Sequence, residues 1–469
     1  MKRTLFGTDG IRGLANVWPM TGEVVMAVGR AVAHVLRLHP EAFVRSLPVG
    51  LKPLESSRPI RRARIVVGKD TRLSGYMFEQ ALASGICSMG ADVLFIGPLS
   101  TPGVAFVTQS MRADAGVMIS ASHNSYQDNG MKIFSADGFK LPDALEQEIE
   151  NLVFSETLAA IRPTHDCVGK ATRIDDIHGR YVVFLKSLFP KHLDLLGMRI
   201  VLDCANGAAY KVAPLVFEEL GAEVIRSGVS PDGLNINDKC GALHPESMAA
   251  LTAKYRADIG IALDGDADRC VFSDENGDIV SGDEILAICA LQMHEAGELA
   301  HSAIVATPMS NMGLEVALKQ RSIELVRAQV GDRYVVGAMR ERGLNFGGEQ
   351  SGHFVFLDHA TTGDGIVAAL KVLEYVRRTK KPLSELRRCI TLYPQVKHDI
   401  QVTKKTPFDE LDGVTNAIRD VEKKLAGRGR AFVRYSGTEP LLRILVESPH
   451  QEEAEILAAF LADVYSKSI

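Results

Sequence analysis

Residues 116–134 read GVMISASHNSYQDNGMKIF, a polar loop between two apolar runs of β-strand type. A loop of this kind, entered and left by strands, is a tight turn at a strand end, and we expect it to expose its hydroxyl groups. Ser122 is the candidate carrier of a phosphoryl group, because His123 and Lys132 flank it and other parts of a phosphoryl-transfer site follow in the chain. An ordinary Ser/Asn loop would have a similar composition.

Residues 264–269 read DGDADR and follow the strand-like run 258–263. The three aspartates, Asp264, Asp266 and Asp268, can direct three hard oxygen ligands at one divalent cation from a turn that contains glycine. No glutamate follows at EF-hand spacing and no helix precedes the turn, so the residues favour magnesium in a phosphate site. A solvated acidic turn is the alternative.

A pattern of strand, helix, strand, helix and strand occurs three times along the chain. The first strands read RIVVG, RIVLD and AIVAT, and they begin at Arg64, Arg199 and Ala303. The second strands begin near Gly90, Gly221 and Ser322. The third strand of each unit ends in a polar loop, SASHN, DGDADR or GGEQSGH. This spacing implies right-handed crossovers and largely parallel sheets, with the three loops at the carboxyl ends of strands.

We therefore predict three similar α/β domains with mixed or parallel sheets and a smaller α+β domain, arranged around a central cleft. The expected domains are 1–174 with the serine loop, 175–279 with the aspartate loop, 280–393 with the GGEQSGH loop, and 394–469. In the last domain we expect helices over 407–426 and 452–466 and strands over 430–435 and 441–447. The stretch 38–62, rich in Pro and Arg, reads as a surface insertion.

Composition excludes several classes of function. The chain has 469 residues and a formal net charge of −5, so it exceeds a single core and carries no basic field for nucleic acid. No uninterrupted apolar stretch reaches bilayer length, and no apolar run of signal-peptide type follows the two basic residues of MKRTLFGTDG, so we expect a cytoplasmic protein. The seven cysteines form no CxxC pair, which favours reduced thiols over zinc ligands or a disulfide framework.

Five motifs together resemble those of the α-D-phosphohexomutase superfamily. They are FGTDGIRG at 6–13, ASHN at 121–124, DGDADR at 264–269, GGEQSGH at 347–353 and RYSGTEPLLRI at 434–444. The resemblance therefore runs the whole length of the chain. Gln350 occupies the position where the phosphomannomutase and phosphoglucomutase branch usually has methionine, so the chain looks like the branch that acts on amino sugars.

The resemblance implies a phosphoserine enzyme that interconverts glucosamine 6-phosphate and glucosamine 1-phosphate through the 1,6-bisphosphate, for UDP-N-acetylglucosamine synthesis. It implies activating phosphorylation of Ser122 and one Mg²⁺ held by Ser122, Asp264, Asp266 and Asp268. The catalytic residues it indicates are Ser122, Lys132, His123, Arg12 and His353. The substrate-binding residues it indicates are Arg269, Glu349, Ser351, Arg434, Ser436, Gly437, Thr438 and Arg443.

Several of these roles stay open at the level of sequence. Lys132 could neutralise charge or take the substrate proton, and His123 could orient a partner or act as the base. His353 could be an acid or base with Asp364 as its partner, or a packed strand residue. Arg269 could contact phosphate or form a buried salt bridge.

Other expectations concern the loop, the cleft and the activity as a whole. The usual residue after ASHN in the family is proline, and Ser125 in its place is expected to loosen the loop. Lys69 and Arg72 are expected to add positive charge at the mouth of the cleft, or else to be ordinary surface residues. The alternative activities are those of a phosphomannomutase/phosphoglucomutase or of a sugar-phosphate binding protein without turnover. The resemblance also implies a homodimer.

Overall fold

The computed structural model describes residues 4–7, 9–39, 62–436 and 440–468. Most of the predicted insertion, residues 40–61, lies outside the described residues, as do Gly437 and Thr438. Among the helices that are described, none is both long enough and apolar enough to cross a membrane.

The first domain contains a six-stranded sheet with the order β1-β5-β4-β2-β3-β6. Its strands are β1 (Ile11–Leu14), β2 (Arg64–Lys69), β3 (Asp92–Pro98), β4 (Ala115–Ile119), β5 (Asp128–Ser135) and β6 (Ala171–Arg173). Its helices are α1 (Gly22–Leu38), α2 (Ser74–Cys87), α3 (Thr101–Ser110), α4 (Asp143–Val153) and α5 (Thr157–Ala160). Strand β4 is buried along its whole length, as its unbroken apolar run AGVMI predicts.

The second domain contains a five-stranded sheet with the order β11-β10-β9-β7-β8. Its strands are β7 (Arg199–Asp203), β8 (Glu223–Ser227), β9 (Ile259–Leu263), β10 (Cys270–Ser273) and β11 (Ile279–Val280). Its helices are α6 (Ile177–Ser187), α7 (Val212–Glu219) and α8 (Glu246–Tyr255). Strand β9 is buried throughout and delivers the aspartate loop at its carboxyl end.

The third domain contains a four-stranded sheet with the order β13-β12-β14-β15. Its strands are β12 (Ala303–Ala306), β13 (Glu324–Arg327), β14 (Phe346–Glu349) and β15 (His353–Phe356). Its helices are α9 (Gly282–Glu295), α10 (Met312–Lys319), α11 (Asp332–Arg342), α12 (Gly365–Thr379) and α13 (Leu383–Leu386). Helix α9 begins with a capping box, in which Ser281 and Glu284 satisfy each other's backbone N–H groups.

The C-terminal domain packs two helices on a three-stranded antiparallel sheet with the order β16-β18-β17. Its elements are β16 (Gln395–Gln401), α14 (Asp412–Leu425), β17 (Arg430–Tyr435), β18 (Leu441–Glu447) and α15 (Gln451–Ser468). The sequence did not indicate β16, because only two residues of QVKHDIQ are aliphatic. Helix α14 begins at Asp412 rather than at 407, after a short 3-10 turn at Phe408–Glu410.

The three α/β domains share one arrangement around the functional loops. In each, the third strand of the repeat lies between the first strand and an antiparallel partner. The loops therefore connect the antiparallel pairs β4 and β5, β9 and β10, and β14 and β15 at the carboxyl end of the first strand of each pair. The predicted fold class, mixed-sheet α/β domains followed by an α+β domain, is confirmed.

The clusters of buried apolar side chains do not follow the boundaries of the four domains. One continuous cluster of buried side chains runs through the first, second and third domains, from Val66 on β2 to Ile390 after α13. The C-terminal domain has a cluster of its own, which includes Val421, Leu442 and Leu461. One apolar cluster thus joins the three α/β domains, and the apolar cluster of the C-terminal domain is separate from it.

Candidate active site

The serine loop turns sharply between β4 and β5, and Ser122 has a left-handed backbone with φ of 51°. Ser122 is only 1% exposed, because the aspartate loop of the second domain covers it. Its Oγ donates a hydrogen bond to Oδ2 of Asp264 at 2.7 Å. The expectation that the turn exposes this hydroxyl is therefore wrong. Ser120 turns the other way and donates to Asp70, so of these two serine hydroxyls Ser122 faces the aspartate loop.

The aspartate loop places the carboxylates of Asp264, Asp266 and Asp268 within 4.8 Å of one another. All three side chains are buried, so the alternative of a solvated acidic turn is wrong. Burial, followed by the charges of Asp268 and Asp266, raises the pKa of Asp264 well above its usual range. Burial acts in the same direction on Asp268, but Lys132, His353 and Arg269 together outweigh it and hold the pKa of Asp268 well below its usual range.

The donor set of this loop matches a hard divalent cation. Oδ1 of Asp266 is buried and accepts no hydrogen bond from any residue that the structure describes. Oδ1 of Asp268 is also buried, and its contact with Nδ1 of His353 is long, at 3.7 Å. Buried carboxylate oxygens without partners are costly unless a cation balances them. Oxygen ligands alone, with no imidazole or thiolate among them, suit Mg²⁺. The three aspartates therefore fit a magnesium ion beside Ser122.

Lys132 is the central cation of the site. It is 1% exposed, and its Nζ lies 2.9 Å from Asp266, 3.0 Å from Asp268 and 3.4 Å from Asp9. Burial lowers the pKa of Lys132, but these carboxylates outweigh burial and raise it well above its usual range. In this arrangement Lys132 is an ammonium that compensates carboxylate charge, and it holds its proton firmly.

The pKa values of His123 and His353 are shifted in opposite directions. Burial, and then the neighbouring guanidiniums of Arg269 and Arg12, lower the pKa of His123 to about 4. Its Nδ1 lies 3.3 Å from Oγ of Ser122, so a neutral imidazole contacts the serine hydroxyl. Burial also disfavours a charge on His353, but nearby carboxylates, Asp268 first, outweigh it and raise the pKa of His353.

His353 begins β15 and lies between two carboxylates from different elements. Its Nδ1 is 3.7 Å from Asp268 and its Nε2 is 3.8 Å from Asp332. The expected partner, Asp364, makes other contacts: it caps α12 by accepting from Ile366 N and accepts from the Tyr181 hydroxyl. The interpretation of Asp364 as the partner of His353 is wrong, because helix capping uses its carboxylate.

The third loop brings Glu349 and Ser351 to the same cleft. Glu349 ends β14, is 8% exposed, and accepts a hydrogen bond at 3.0 Å from Gly331 N. Ser351 Oγ lies 3.5 Å from the Glu349 carboxylate.

Two arginines of the predicted site lie in the other domains. Arg269, at the end of the aspartate loop, donates its backbone N–H to Asp264 at 3.1 Å. On the first domain, Arg12 of β1 forms an ion pair with Asp9.

The arginines of the last motif lie on the C-terminal sheet. Arg434 and Arg443 are direct partners across β17 and β18, and Arg443 faces Asp399 of β16. Burial, and then the charge of Arg443, lower the pKa of Arg434. Both arginines line a cavity of about 240 Å³ that Met309 of the third domain also lines. Ser436 is buried, and its carbonyl accepts from Lys405 at 2.6 Å.

Three residues that sequence reasoning missed connect the first domain to the third. Lys140 pairs with Asp9 and, at 2.5 Å, with Asp332 at the start of α11. Asp9 belongs to the quoted motif FGTDGIRG, and Asp332 follows the second strand of the third repeat, where parallel sheets place ligands. These positions could have drawn attention to both acids, whereas nothing local marks Lys140.

Lys69 and Arg72 are buried, at 1% and 0% exposure, so the surface interpretation of both is wrong. Lys69 pairs with Glu79 at 2.9 Å and Arg72 with Asp70 at 2.8 Å. Neither therefore adds an unbalanced positive charge to the cleft. Ser125, the residue in place of the usual proline, is held through its carbonyl, which accepts from Arg72.

A serine hydroxyl against a buried carboxylate triad, where three α/β domains meet, is the arrangement of a phosphohexomutase-type protein. Four family models match the chain. They are the phosphoglucomutase/phosphomannomutase α/β/α domains I, II and III, at residues 3–160, 180–277 and 281–393, and the C-terminal domain of the same family at 399–464. The chain belongs to the phosphoglucomutase/phosphomannomutase family, as its motifs predicted.

Curated relatives match over the full length. A phosphoglucosamine mutase of Syntrophotalea carbinolica is 56% identical over 471 residues, covering 100% of this chain and 98% of that protein. One from Geobacter metallireducens is 55% identical, covering 100% of this chain and 99% of its own.

Solved structures agree on the fold. A phosphoglucomutase/phosphomannomutase family protein of Burkholderia thailandensis superposes with a TM-score of 0.78 at 22% identity, covering 99% of this chain and 97% of that one. The N-acetylphosphoglucosamine mutase of Aspergillus fumigatus, solved with GlcNAc-6P and magnesium, gives 0.64 at 18% identity, covering 100% of this chain and 96% of that one.

Proposed function

We propose that this chain is a phosphoglucosamine mutase, which interconverts glucosamine 6-phosphate and glucosamine 1-phosphate. Relatives named for this activity are 54–56% identical over nearly the whole chain. The observation that carries the chemistry is the 2.7 Å contact between Oγ of Ser122 and the buried aspartate triad. A hydroxyl held against oxygen ligands for a divalent cation is suited to carry a phosphoryl group.

The proposed cycle begins with phosphate on Ser122. The free 1-hydroxyl of glucosamine 6-phosphate attacks that phosphorus, the bond to Oγ breaks, and glucosamine 1,6-bisphosphate forms. The intermediate turns over in the cleft and Oγ attacks the phosphorus at the 6-position, which releases glucosamine 1-phosphate and restores the phosphoserine. Enzyme without phosphate on Ser122 is inert until a bisphosphate primes it.

The first-domain residues and the aspartate loop have proposed roles at the reacting phosphate. Mg²⁺ held by the three aspartates and a phosphate oxygen on Ser122 would neutralise charge on the transferring group. Lys132, kept protonated by its carboxylate neighbours, adds a second positive charge, and Arg12 faces the same phosphate. His123, which is neutral at pH 7 because its pKa is about 4, orients the serine or receives a proton.

The remaining loops bind the rest of the substrate in this proposal. Glu349 and Ser351 hydrogen-bond sugar hydroxyls. His353, whose pKa is raised by the carboxylates on either side of it, donates a proton or hydrogen bond near them. Arg269 contacts phosphate. Arg434, Ser436 and Arg443, with Gly437 and Thr438 of the same loop, hold the phosphate that does not react.

Further parts of the proposal concern the setting of the enzyme. We propose that the first three domains end at residues 174, 279 and 393 and that the enzyme acts as a homodimer. We also propose that it acts in the cytoplasm, where its product is used for UDP-N-acetylglucosamine synthesis. Phosphorylated sugars are charged and stay on the side of the membrane where they are made, which supports the location. The homodimer rests on the resemblance alone, and light scattering of the purified chain measures it.

The deciding experiment measures conversion of glucosamine 6-phosphate to glucosamine 1-phosphate with Mg²⁺ and a trace of the bisphosphate. Wild type is expected to turn over, and Ser122→Ala to lose all detectable activity because the carrier oxygen is gone. Ser125→Ala, in the same loop but exposed, is the matched control and keeps activity.

The substrate comparison separates the rival activities. A kcat/KM for glucosamine phosphate at least about tenfold above that for glucose or mannose phosphates supports the amino-sugar assignment, since tenfold corresponds to about 1.4 kcal/mol of transition-state discrimination. A preference for glucose or mannose phosphate would change the proposed substrate and leave the proposed phosphoserine mechanism unchanged. Binding without turnover would identify a sugar-phosphate binding protein instead.

A further inference from the structure

The serine loop is wrapped around a single buried guanidinium. Arg72 donates through Nη2 to the carbonyl oxygens of Ser122 at 2.9 Å and Asn124 at 2.8 Å. Through Nη1 it donates to the carbonyl oxygens of Ser125 and, at 3.1 Å, Asp128. Arg72 is fully buried, so these backbone acceptors take the place of water around its charge. Four carbonyls of one loop thus converge on one side chain.

Asp70 holds the guanidinium and reaches the same loop by a second path. It accepts from Arg72 Nε at 2.8 Å and from Arg72 N at 2.9 Å. It also accepts from Ser120 Oγ at 2.6 Å, and that oxygen accepts from Ser122 N at 2.9 Å. Asp70 and Arg72 therefore fix both the N–H and the C=O of Ser122.

The second domain adds a contact to the same carbonyl. Asn237 donates through Nδ2 to the carbonyl oxygens of Ser122 at 2.9 Å and Asn124 at 3.0 Å. Asn237 belongs to the segment that precedes α8, and it is 7% exposed. The carbonyl of Ser122 is therefore held from two domains, one of which also carries the aspartate loop.

These contacts stabilise a backbone conformation that serine does not adopt by preference. The left-handed φ of Ser122, 51°, is less favourable than the ordinary helical region, because Cβ approaches the following carbonyl. Such a backbone persists where the surroundings over-determine it. In this conformation Oγ points at Asp264.

We propose that Arg72 is a positioning residue for phosphoryl transfer, which sets the backbone of Ser122 so that its Oγ faces the metal-binding loop. Asp70 neutralises its charge, so its contribution is geometric. A guanidinium suits this task because its planar fork presents five donors in fixed directions, whereas a lysine ammonium presents three on a flexible stem. This inference rests on the proposed function, since positioning is defined by the reaction of Ser122.

The test compares Arg72→Lys with Arg64→Lys in the full-length enzyme. Arg64 is a matched control in the same domain, because it also donates to two backbone carbonyls, those of Met111 at 3.1 Å and Arg112 at 3.0 Å. Both variants are assayed on glucosamine 6-phosphate after priming with bisphosphate. The phosphate on Ser122 is counted by mass spectrometry, so that kcat is expressed per phosphorylated site.

Arg72→Lys is expected to lower kcat per phosphorylated site by about 30-fold or more, with KM changed less than about threefold, because misplacement of a reacting group by about 1 Å can cost about 100-fold. Arg64→Lys is expected to stay within about twofold of wild type. A purely structural role for Arg72 would reduce the number of phosphorylated sites and leave kcat per site unchanged, which would overturn the inference.

Ser120→Ala keeps the proposal testable if Arg72→Lys does not fold. It removes only the hydroxyl that links Asp70 to Ser122 N, and we expect kcat per site to fall by about fivefold, the size of one neutral hydrogen bond. Wild-type kcat per site in this variant, together with a misfolded Arg72→Lys, overturns the inference. If neither wild type nor Arg64→Lys turns over any sugar phosphate, the proposed function is wrong, and this outcome is distinct from a failure of the inference about Arg72 alone.

Discussion

The two ends of the cleft handle charge in opposite ways. At the serine end, Lys132 is 1% exposed and lies against three carboxylates of the protein itself. At the C-terminal end, the side chain of Arg443 is 39% exposed, faces Arg434 across two strands, and lies 3.9 Å from Asp399. The first region balances its charges internally, whereas the second places two like charges opposite each other.

This difference indicates what each end is built for. Like charges directly opposite on neighbouring strands destabilise a sheet, so the arginine pair is retained at a cost that a bound dianion would offset. The serine end has its charges compensated within the protein, which suits the fixed geometry that the proposed phosphoryl transfer requires. The apolar cores also distinguish the two ends, because the C-terminal cluster is separate from the cluster that joins the other three domains.

The largest effect is expected from a substitution in the charge network at the serine end. Asp266→Asn keeps the size of the side chain but removes a charge that faces Lys132 at 2.9 Å and accepts from Thr101. We expect kcat to fall at least about 1,000-fold, since a proposed carboxylate ligand of the cation and its charge at the proposed phosphoryl site are both lost. Calorimetric titration is expected to give weaker Mg²⁺ binding.

The control for this variant is Asp232→Asn, an exposed aspartate in another loop of the second domain. It is expected to match wild type in both measurements. Unchanged Mg²⁺ affinity in Asp266→Asn would remove Asp266 from the proposed ligand set.

An intermediate effect is expected at the arginine pair. Arg434→Gln should raise KM about 30-fold with a smaller change in kcat, because a charged phosphate contact contributes roughly 2 kcal/mol to binding. The melting temperature should not fall, since the substitution relieves repulsion by Arg443. Steady-state kinetics and thermal melts of Arg428→Gln, an exposed arginine in the same domain, provide the comparison. A large loss of kcat at constant KM would instead place Arg434 at the reacting phosphate.

The smallest expected effect lies at the joint between the two regions. Asp283 accepts from Asn311 N at 2.9 Å, and Asn311 bonds the backbone of Tyr393. Burial raises the pKa of Asp283 to about 6, so the folded protein holds a proton that the unfolded chain releases at lower pH. Stability is therefore lost as pH rises from about 4 to above 6, by at most about 3 kcal/mol.

Asp283→Asn cannot ionise and should melt a few degrees above wild type at pH 8, with the difference vanishing near pH 4. Melting curves at both pH values measure it, and Asp278→Asn, an exposed neighbour, should show no such dependence. A gain that is equal at both pH values would mean that ionisation of Asp283 is not the cause.

Much of the architecture was accessible from the sequence. The strands RIVVG, RIVLD and AIVAT and the three polar loops predicted the repeated units, because buried strands and turns have local signatures. Strand β16 was missed because only Val396 and Ile400 of its seven residues are aliphatic, although both pack against the C-terminal core. The N-terminus of α14 was placed too early because a 3-10 turn precedes it.

The candidate site was only partly accessible. Ser122, the three aspartates and Lys132 could be named from motifs, and the structure brings them together. Asp332 could not be linked to His353, nor Arg72 to the serine loop, because neither pair is close in the chain. The interpretation of Asp364 as the partner of His353 was wrong for a different reason, because helix capping and the Tyr181 hydroxyl supply the donors from which the Asp364 carboxylate accepts.

By itself, then, the sequence determined the class of fold, the order of the domains and the residue types in each functional loop, since these follow from strand periodicity and turn chemistry. Only the tertiary structure decided that the Ser122 hydroxyl is buried against Asp264, 142 positions away. It also decided that Arg72 is an internal support and that the two ends of the cleft differ in charge balance. Burial, pKa and hydrogen-bond partners depend on what packs nearby in space, which no local pattern encodes.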